Sequence, residues 1–211
     1  GTIASITMIL GSFFAIGEDN LKRRLAYSTI SQLSYILFGV ALLSPFGVTG
    51  AMIHIPFHGF MKITLFLCAG AILAITGKKE ISQMAGIGRQ MPATMLAFTI
   101  GVGMCGAPPV AGFISKWFLC LGTIQSGYFV FLAVILVSSL LDVIYFFPIV
   151  KTAFFDKPPE GRASNLELKR PLYLFMVIPL VLTAVISIVF CFFPDALSLL
   201  SLANIAIKNL F

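Results

Sequence analysis

Four side chains able to exchange protons lie inside stretches too apolar to face water: His54, His58, Lys62 and Lys116. Three of them, in His54-Ile55-Pro56-Phe57-His58-Gly59-Phe60-Met61-Lys62, recur at every fourth residue. On an α-helix that spacing turns each side chain only about 40° from the last and lifts it roughly 6 Å. The result is a ladder about 12 Å long on one stripe. Imidazole gains and loses a proton near neutral pH, and an amine in a site that disfavours charge also becomes able to release one. Ionisable groups inside a membrane are costly, and by default they mark a path for ions or protons. One such residue would be explained by a bond to a neighbouring carbonyl. An aligned His-x3-His-x3-Lys with a further lysine is harder to explain as packing. Asp142 is the acidic residue set deepest in an apolar run, and it is a candidate to neutralise a lysine, accept from a hydroxyl or border a polar cavity.

Composition says what must hold these groups. Of 211 residues, 59% are hydrophobic and 10% charged, and mean hydropathy is +1.03. Soluble domains carry about 25% charged residues. The fold class is therefore all-α: a polytopic transmembrane helix bundle of about six spans, one of them discontinuous, forming a single domain over 1–211. The net charge of +6 does not point to nucleic acid, because the basic residues sit between apolar runs. Four cysteines without CxxC spacing argue for buried thiols over a metal site or disulfide framework.

In chain order, Ile3–Ile16 is an apolar run of 14 residues, short of the ~20 needed for a full crossing. With no Met at position 1, it reads as the cut end of a longer protein of which this chain is the C-terminal part. Asp19 or Asn20 is placed to cap the next helix. The second span, about Leu25–Leu43, is oddly polar, with Tyr27, Ser28, Thr29, Ser31, Gln32, Ser34 and Tyr35 in its first half. Small hydroxyl residues suit close helix packing, and that role is preferred here to one in transport. Ser44-Pro45-Phe46-Gly47 reads as a turn, and Gly50–Thr76 as the span that carries the ladder. Pro56 within it deprives the Met52 carbonyl of its helical donor.

From Pro92 to about Gln125 the chain is too long for one straight crossing and too short for two. At its middle, Gly103-Met104-Cys105-Gly106-Ala107-Pro108-Pro109-Val110-Ala111-Gly112 cannot continue a helix, so Gly106, Pro108 and Pro109 mark a break. Breaks at membrane depth occur where they are buried or line a wet cavity. Lys116 lies about two turns beyond it, with the carbonyls freed at the break as candidate partners. Two further spans, about Tyr128–Val150 and Pro171–Phe193, precede an apolar tail, 196–211, whose placement the sequence leaves open.

The basic residues test this layout. Lys22, Arg23, Arg24, Lys78, Lys79, Arg89, Lys151, Lys157, Arg162, Lys169 and Arg170 are 11 of the 14, and all lie in alternate loops if the broken segment crosses once. The positive-inside rule then makes 17–24, 77–91 and 151–170 cytoplasmic.

At this point the residues resemble a known family. Asp19-Asn20-Leu21-Lys22-Arg23-Arg24-Leu25-Ala26-Tyr27-Ser28-Thr29-Ile30-Ser31-Gln32 is similar to the D-x-K-R-x-L-A-Y-S-T-x-S-Q motif of the antiporter-like subunits of respiratory complex I, Mrp-type cation/proton antiporters and membrane-bound hydrogenases. The ladder with Leu65-Phe66-Leu67-Cys68-Ala69-Gly70, and Pro108-Pro109-Val110-Ala111-Gly112-Phe113-Ile114-Ser115-Lys116, resemble two further motifs of that family in the same order. The resemblance implies that Lys116 is the broken-helix proton-channel lysine, that Lys62 and His58 form the central relay, and that His54 is a further relay position. Ser138–Val150 is most similar to the Mrp-type D subunit, where Asn is usual in place of Asp142, and Cys105-Gly106-Ala107-Pro108 departs from the commoner G-L-P-P.

The family has an upstream half with its own broken helix, so the chain is expected to hold at most the output half of a path. The implied function is proton translocation within a multisubunit Mrp-type antiporter exchanging Na+ or K+. The alternative is a proton-pumping subunit of a complex I-like NADH-quinone oxidoreductase or membrane-bound hydrogenase. Either places the chain in a prokaryotic plasma membrane beside other membrane subunits, with lipid and protons as its remaining partners. No flavin, iron–sulfur or quinone motif is visible, so neither a cofactor nor a catalytic residue is expected in the chain itself. A third reading, an inert scaffold, predicts that Lys62→Ala and Lys116→Ala leave transport untouched.

Overall fold

A computed structural model describes residues 1–103, 111–157, 170–193, 195 and 198–210. Its elements are α1 (Thr2–Gly17), α2 (Leu21–Ala41), α3 (Pro45–Thr76), a 3-10 turn (Ile81–Gln83), α4 (Ile87–Gln90), α5 (Pro92–Gly103), α6 (Ala111–Gln125), α7 (Phe129–Phe154), α8 (Arg170–Phe192) and α9 (Leu199–Leu210). Among the described residues there is no strand, and the chain is an all-α membrane bundle. By length and composition α3, α7 and Pro171–Phe190 of α8 suffice to cross a membrane, whereas α1, α5 and α9 are shorter apolar helices. Each of the six expected spans nonetheless corresponds to a helix, the discontinuous one to α5 and α6 together. At 21 residues α2 is long enough, but its polar first half breaks the apolar run.

The bundle is built around α3, which packs against α2, α5, α6, α8 and α9. It starts earlier than the apolar pattern suggests. Ser44 is its N-cap, accepting from the Gly47 amide at 3.1 Å, and Pro45 takes the first helical position, where no amide is needed. The residues read as a turn are therefore its first turn. The helix continues through Pro56 and ends at Gly77, whose φ of 73° would strain any side-chain-bearing residue. At 32 residues it is about 48 Å long, more than a bilayer's hydrocarbon core requires.

Of the two candidate caps for α2, Asn20 performs the role, its side chain accepting from the Arg23 amide at 3.2 Å. Asp19 instead holds the 77–91 loop, accepting from Ser82 N at 3.2 Å and Ser82 Oγ at 2.6 Å. Backbone bonds Leu21 N to Lys79 O and Ile81 N to Asp19 O, at 3.0 and 2.9 Å, complete that junction. Arg24 departs from its reading as a loop charge. Buried at the start of α2, it donates to the carbonyls of Glu18, Ile16 and Tyr145 at 2.7, 3.3 and 2.9 Å. It thereby satisfies acceptors left over at the end of α1 and ties α2 to α7.

Glycines bring α2, α3 and α6 to backbone contact. A Cβ at Gly122 would lie 2.6 Å from Gly47 N, one at Gly50 2.9 Å from Leu119 N, and one at Gly39 2.7 Å from Gly47 O. Small residues are what let membrane helices approach this closely. The outer faces of α7 and α8 expose large apolar side chains such as Leu140, Phe147, Phe175 and Ile178, as lipid contact requires. Within the tail left open by the sequence, Leu199–Leu210 forms α9 and packs on α3.

Candidate functional site

His54, His58 and Lys62 lie on one buried stripe of α3, as their spacing predicts, and Lys116 is buried on α6. Relative exposure is 2, 7, 6 and 5% respectively, and 0% for Asp142, so none of the five reaches the surface of the bundle. The break residues Gly106, Pro108 and Pro109 lie outside the described residues, as do the carbonyls proposed as partners for Lys116; α5 and α6 are separate helices on either side.

At one end of the ladder, the Lys62 ammonium donates to the Leu25 carbonyl at 3.3 Å and to Ser28 Oγ, and it stands 5.7 Å from the Phe146 ring centre. Continued burial of this amine is tolerable because a carbonyl, a hydroxyl and an aromatic face replace part of its hydration. In the middle, the His58 and His54 rings stack with centroids 5.9 Å apart and planes 13° apart. His54 Nδ1 lies 2.8 Å from Ser115 Oγ, which joins the ladder to α6. Neither His54 Nε2 nor His58 Nε2 has a hydrogen-bonding partner among the described groups, although both are buried. Buried polar atoms of this kind are normally satisfied by ordered water.

Next in sequence, Lys116 is turned about 100° away from Ser115 by the helix. Its Nζ meets Asp142 Oδ2 of α7 at 2.7 Å and Ser139 Oγ at 3.2 Å, and it lies 4.6 Å from the Tyr35 ring centre. Asp142 also accepts from Gln32 Nε2 at 2.8 Å and from Tyr145 OH at 2.7 Å. The Tyr35 ring stands 5.8 Å from that of His54, so it lies against both the lysine and the histidine. Of the roles weighed for Asp142, the structure realises two: it pairs with a lysine, and it accepts from a hydroxyl, that of Tyr145.

Ser28, Gln32 and Tyr35 were not distinguished in the sequence from their packing neighbours. The packing role does describe Ser31, whose hydroxyl meets Ser12 Oγ at 3.0 Å and the Met8 carbonyl at 2.9 Å. The other three form a stripe at i, i+4 and i+7, continuing Arg24, and Ser138, Asp142 and Tyr145 on α7 repeat the same spacing; Gln32 meets Asp142, while Ser28 meets Lys62 of α3. That paired periodicity was the available signal.

Similarity to known proteins bears on the family and the fold. Residues 1–142 match the family model described as NADH:quinone oxidoreductase/Mrp antiporter, transmembrane, a stretch ending at Asp142. The chain is 40% identical over 164 residues to NADH-quinone oxidoreductase subunit N of Desulforudis audaxviator, covering 77% of this chain and 33% of that protein. It thus spans about a third of the length of that relative. The Mrp complex from Dietzia sp. contains a chain of the same fold, with a TM-score of 0.86 at 24% identity, covering 99% of this chain and 46% of that one. The membrane-bound sulfane sulfur reductase, an archaeal respiratory membrane complex, contains another, with a TM-score of 0.82 at 26% identity over 99% of this chain and 41% of that one. A buried histidine–lysine ladder, an all-helical membrane bundle and a family match over two-thirds of its length lead to one conclusion: the chain belongs to the transmembrane family shared by NADH:quinone oxidoreductases and Mrp antiporters.

Proposed function

We propose that the chain carries a proton path in a membrane subunit of a redox-driven complex of the NADH-quinone oxidoreductase type. The observation that carries this reading is a buried polar succession, Lys62, His58, His54, Ser115 and Lys116, crossing from α3 to α6 inside an apolar bundle. Each group accepts or donates a proton without any covalent chemistry. An imidazole takes a proton on one nitrogen and gives it from the other, and the Ser115 hydroxyl carries it across the helix contact. Water at the unpartnered His54 and His58 nitrogens supplies the links that side chains leave open. The driving energy comes from electron transfer in partner subunits, and the segments 17–24, 77–91 and 151–170 face the cytoplasm of a prokaryotic cell.

Sequence similarity favours the redox-driven reading over the Mrp-type antiporter with Na+ or K+ exchange that the residues at 138–150 first suggested. A relative at 40% identity is an NADH-quinone oxidoreductase subunit. The Mrp likeness, at 24% identity, is one of fold alone. Lys116→Ala in the full-length subunit of the assembled complex tests the proposal in inverted membrane vesicles. The expected result is loss of the pH gradient driven by electron donor, with the complex still assembled. A normal gradient in that variant overturns the reading. A gradient produced in the wild type by Na+ or K+ without electron donor restores the antiporter.

A further inference from the structure

Asp142 carries an unusual load. Its side chain is fully buried on α7, and it accepts from an ammonium on α6, an amide on α2 and a phenol on its own helix. The ladder reaches α6 at Ser115, yet the amine of the adjacent residue is held on the other side, against α7. The charged and titratable groups around the pair are Tyr35 and Arg24 from α2, His54 and Lys62 from α3, Cys120 from α6, and Tyr145 from α7. Arg24 meets the Tyr145 carbonyl, and Lys62 lies over Phe146. Among these, Asp142 supplies the negative charge that Lys116 meets directly.

From this geometry we propose that Asp142 is a positioning residue that docks Lys116 on α7 while its amine is charged and frees it when the amine is neutral, making Lys116 a two-position carrier. The inference rests on the proton-path reading above. An ammonium in contact with a buried carboxylate is held by a strong Coulomb attraction, because little water screens it. Once the ammonium passes its proton to the outlet side, that attraction falls to an ordinary hydrogen bond. The neutral amine, with a lone pair to offer, is then able to swing toward Ser115 and His54. There the lone pair takes a proton from the Ser115 hydroxyl as a His54 imidazolium, protonated from the His58 side, gives one to that hydroxyl; the imidazole returns to its neutral form and the new ammonium returns to Asp142. Gln32 and Tyr145 keep the carboxylate hydrogen-bonded while the lysine is away, so it need not take the proton itself. Docking by charge makes the transfer directional: a charged Lys116 is kept away from the histidines that supplied its proton.

The test uses the full-length subunit in the assembled complex, with proton uptake by inverted vesicles followed across a pH series and electron transfer recorded separately. Asp142→Asn keeps the shape and removes the charge, so the pumping-versus-pH profile moves to the acid side by about one pH unit or more. Asp142→Glu restores the wild-type position. Tyr145→Phe removes a competing donor and leaves all charges in place, so the carboxylate grips the lysine harder and the profile moves in the opposite, alkaline direction. An Asp142→Asn profile that superimposes on the wild type overturns the inference. Should that variant not assemble, an unshifted Tyr145→Phe profile does so. Lys116→Ala in the same preparation separates the two readings: if it still pumps, the proton path itself fails. If it does not pump while the Asp142 and Tyr145 variants behave as wild type, only the docking role fails.

Discussion

Adding one methyl group to Gly50 should disconnect the two helices that carry the ladder. Gly50 lies one turn before His54 on the same face of α3. A Cβ there would sit 2.9 Å from Leu119 N, 3.0 Å from Leu119 Cγ and 3.0 Å from Ser115 O. Two of these neighbours are backbone atoms, so no rotamer change relieves the overlap, and α6 must retreat by about half an ångström to reach ordinary contact. Such overpacking costs about 1–3 kcal/mol of stability. The retreat also acts on function. It stretches the contact between His54 Nδ1 and Ser115 Oγ from 2.8 Å to about 3.3 Å, at the weak end of the hydrogen-bond range. Proton transfer depends steeply on such distances, and a drop in pumping of roughly tenfold follows. The assay is the initial rate of donor-driven acidification of inverted vesicles, normalised to electron-transfer rate and to the amount of assembled complex on native gels. Gly59→Ala is the control on the same helix, because its Cβ would meet nothing within 4 Å. It should pump as wild type and gain up to about 1 kcal/mol of helix propensity. A Gly50→Ala complex that assembles and pumps within twofold of wild type would refute the argument that this close approach sets the histidine–serine contact.

Two further changes separate structure from transport. Asn20→Ala removes the acceptor for the Arg23 amide at the start of α2; it should cost about 0.5–2 kcal/mol in thermal unfolding and leave pumping per assembled complex unchanged. Ser28→Ala takes from Lys62 its hydroxyl partner and leaves it the Leu25 carbonyl. Pumping in vesicles should fall by about tenfold or more, as the ~1.5–3 kcal/mol attached to a lost hydrogen bond to a charged group implies, and Ser28→Thr should restore it.

The parts of the site that repeat along one helix were legible in the sequence. His54, His58 and Lys62 share a stripe because a spacing of four almost matches the helical turn, and the structure keeps them on it. Lys116 was legible through its position after a proline pair. What crosses between helices was not. That Lys116 faces Asp142 depends on how α6 and α7 rotate against each other, which one chain's periodicity does not record. The start of α3 was misplaced because Ser44-Pro45 carries a turn signal and an N-terminal signal at once; only the Ser44 bond to Gly47 decides between them. Arg24 was read with its neighbours Lys22 and Arg23 as a loop charge, since composition cannot show that three backbone carbonyls converge on it.

One feature of α2 reaches beyond its own contacts. Ser28 touches the amine at one end of the ladder, and Gln32, one turn later, touches the carboxylate that grips the amine at the other. The two contacts sit on a rigid rod roughly 6 Å apart along its axis, and Arg24 anchors that rod to α1 and α7. A slide or twist of this strut therefore tugs on both ammonium groups in the same instant. Two amines with no atom in common would then feel one mechanical event, without any proton having travelled between them.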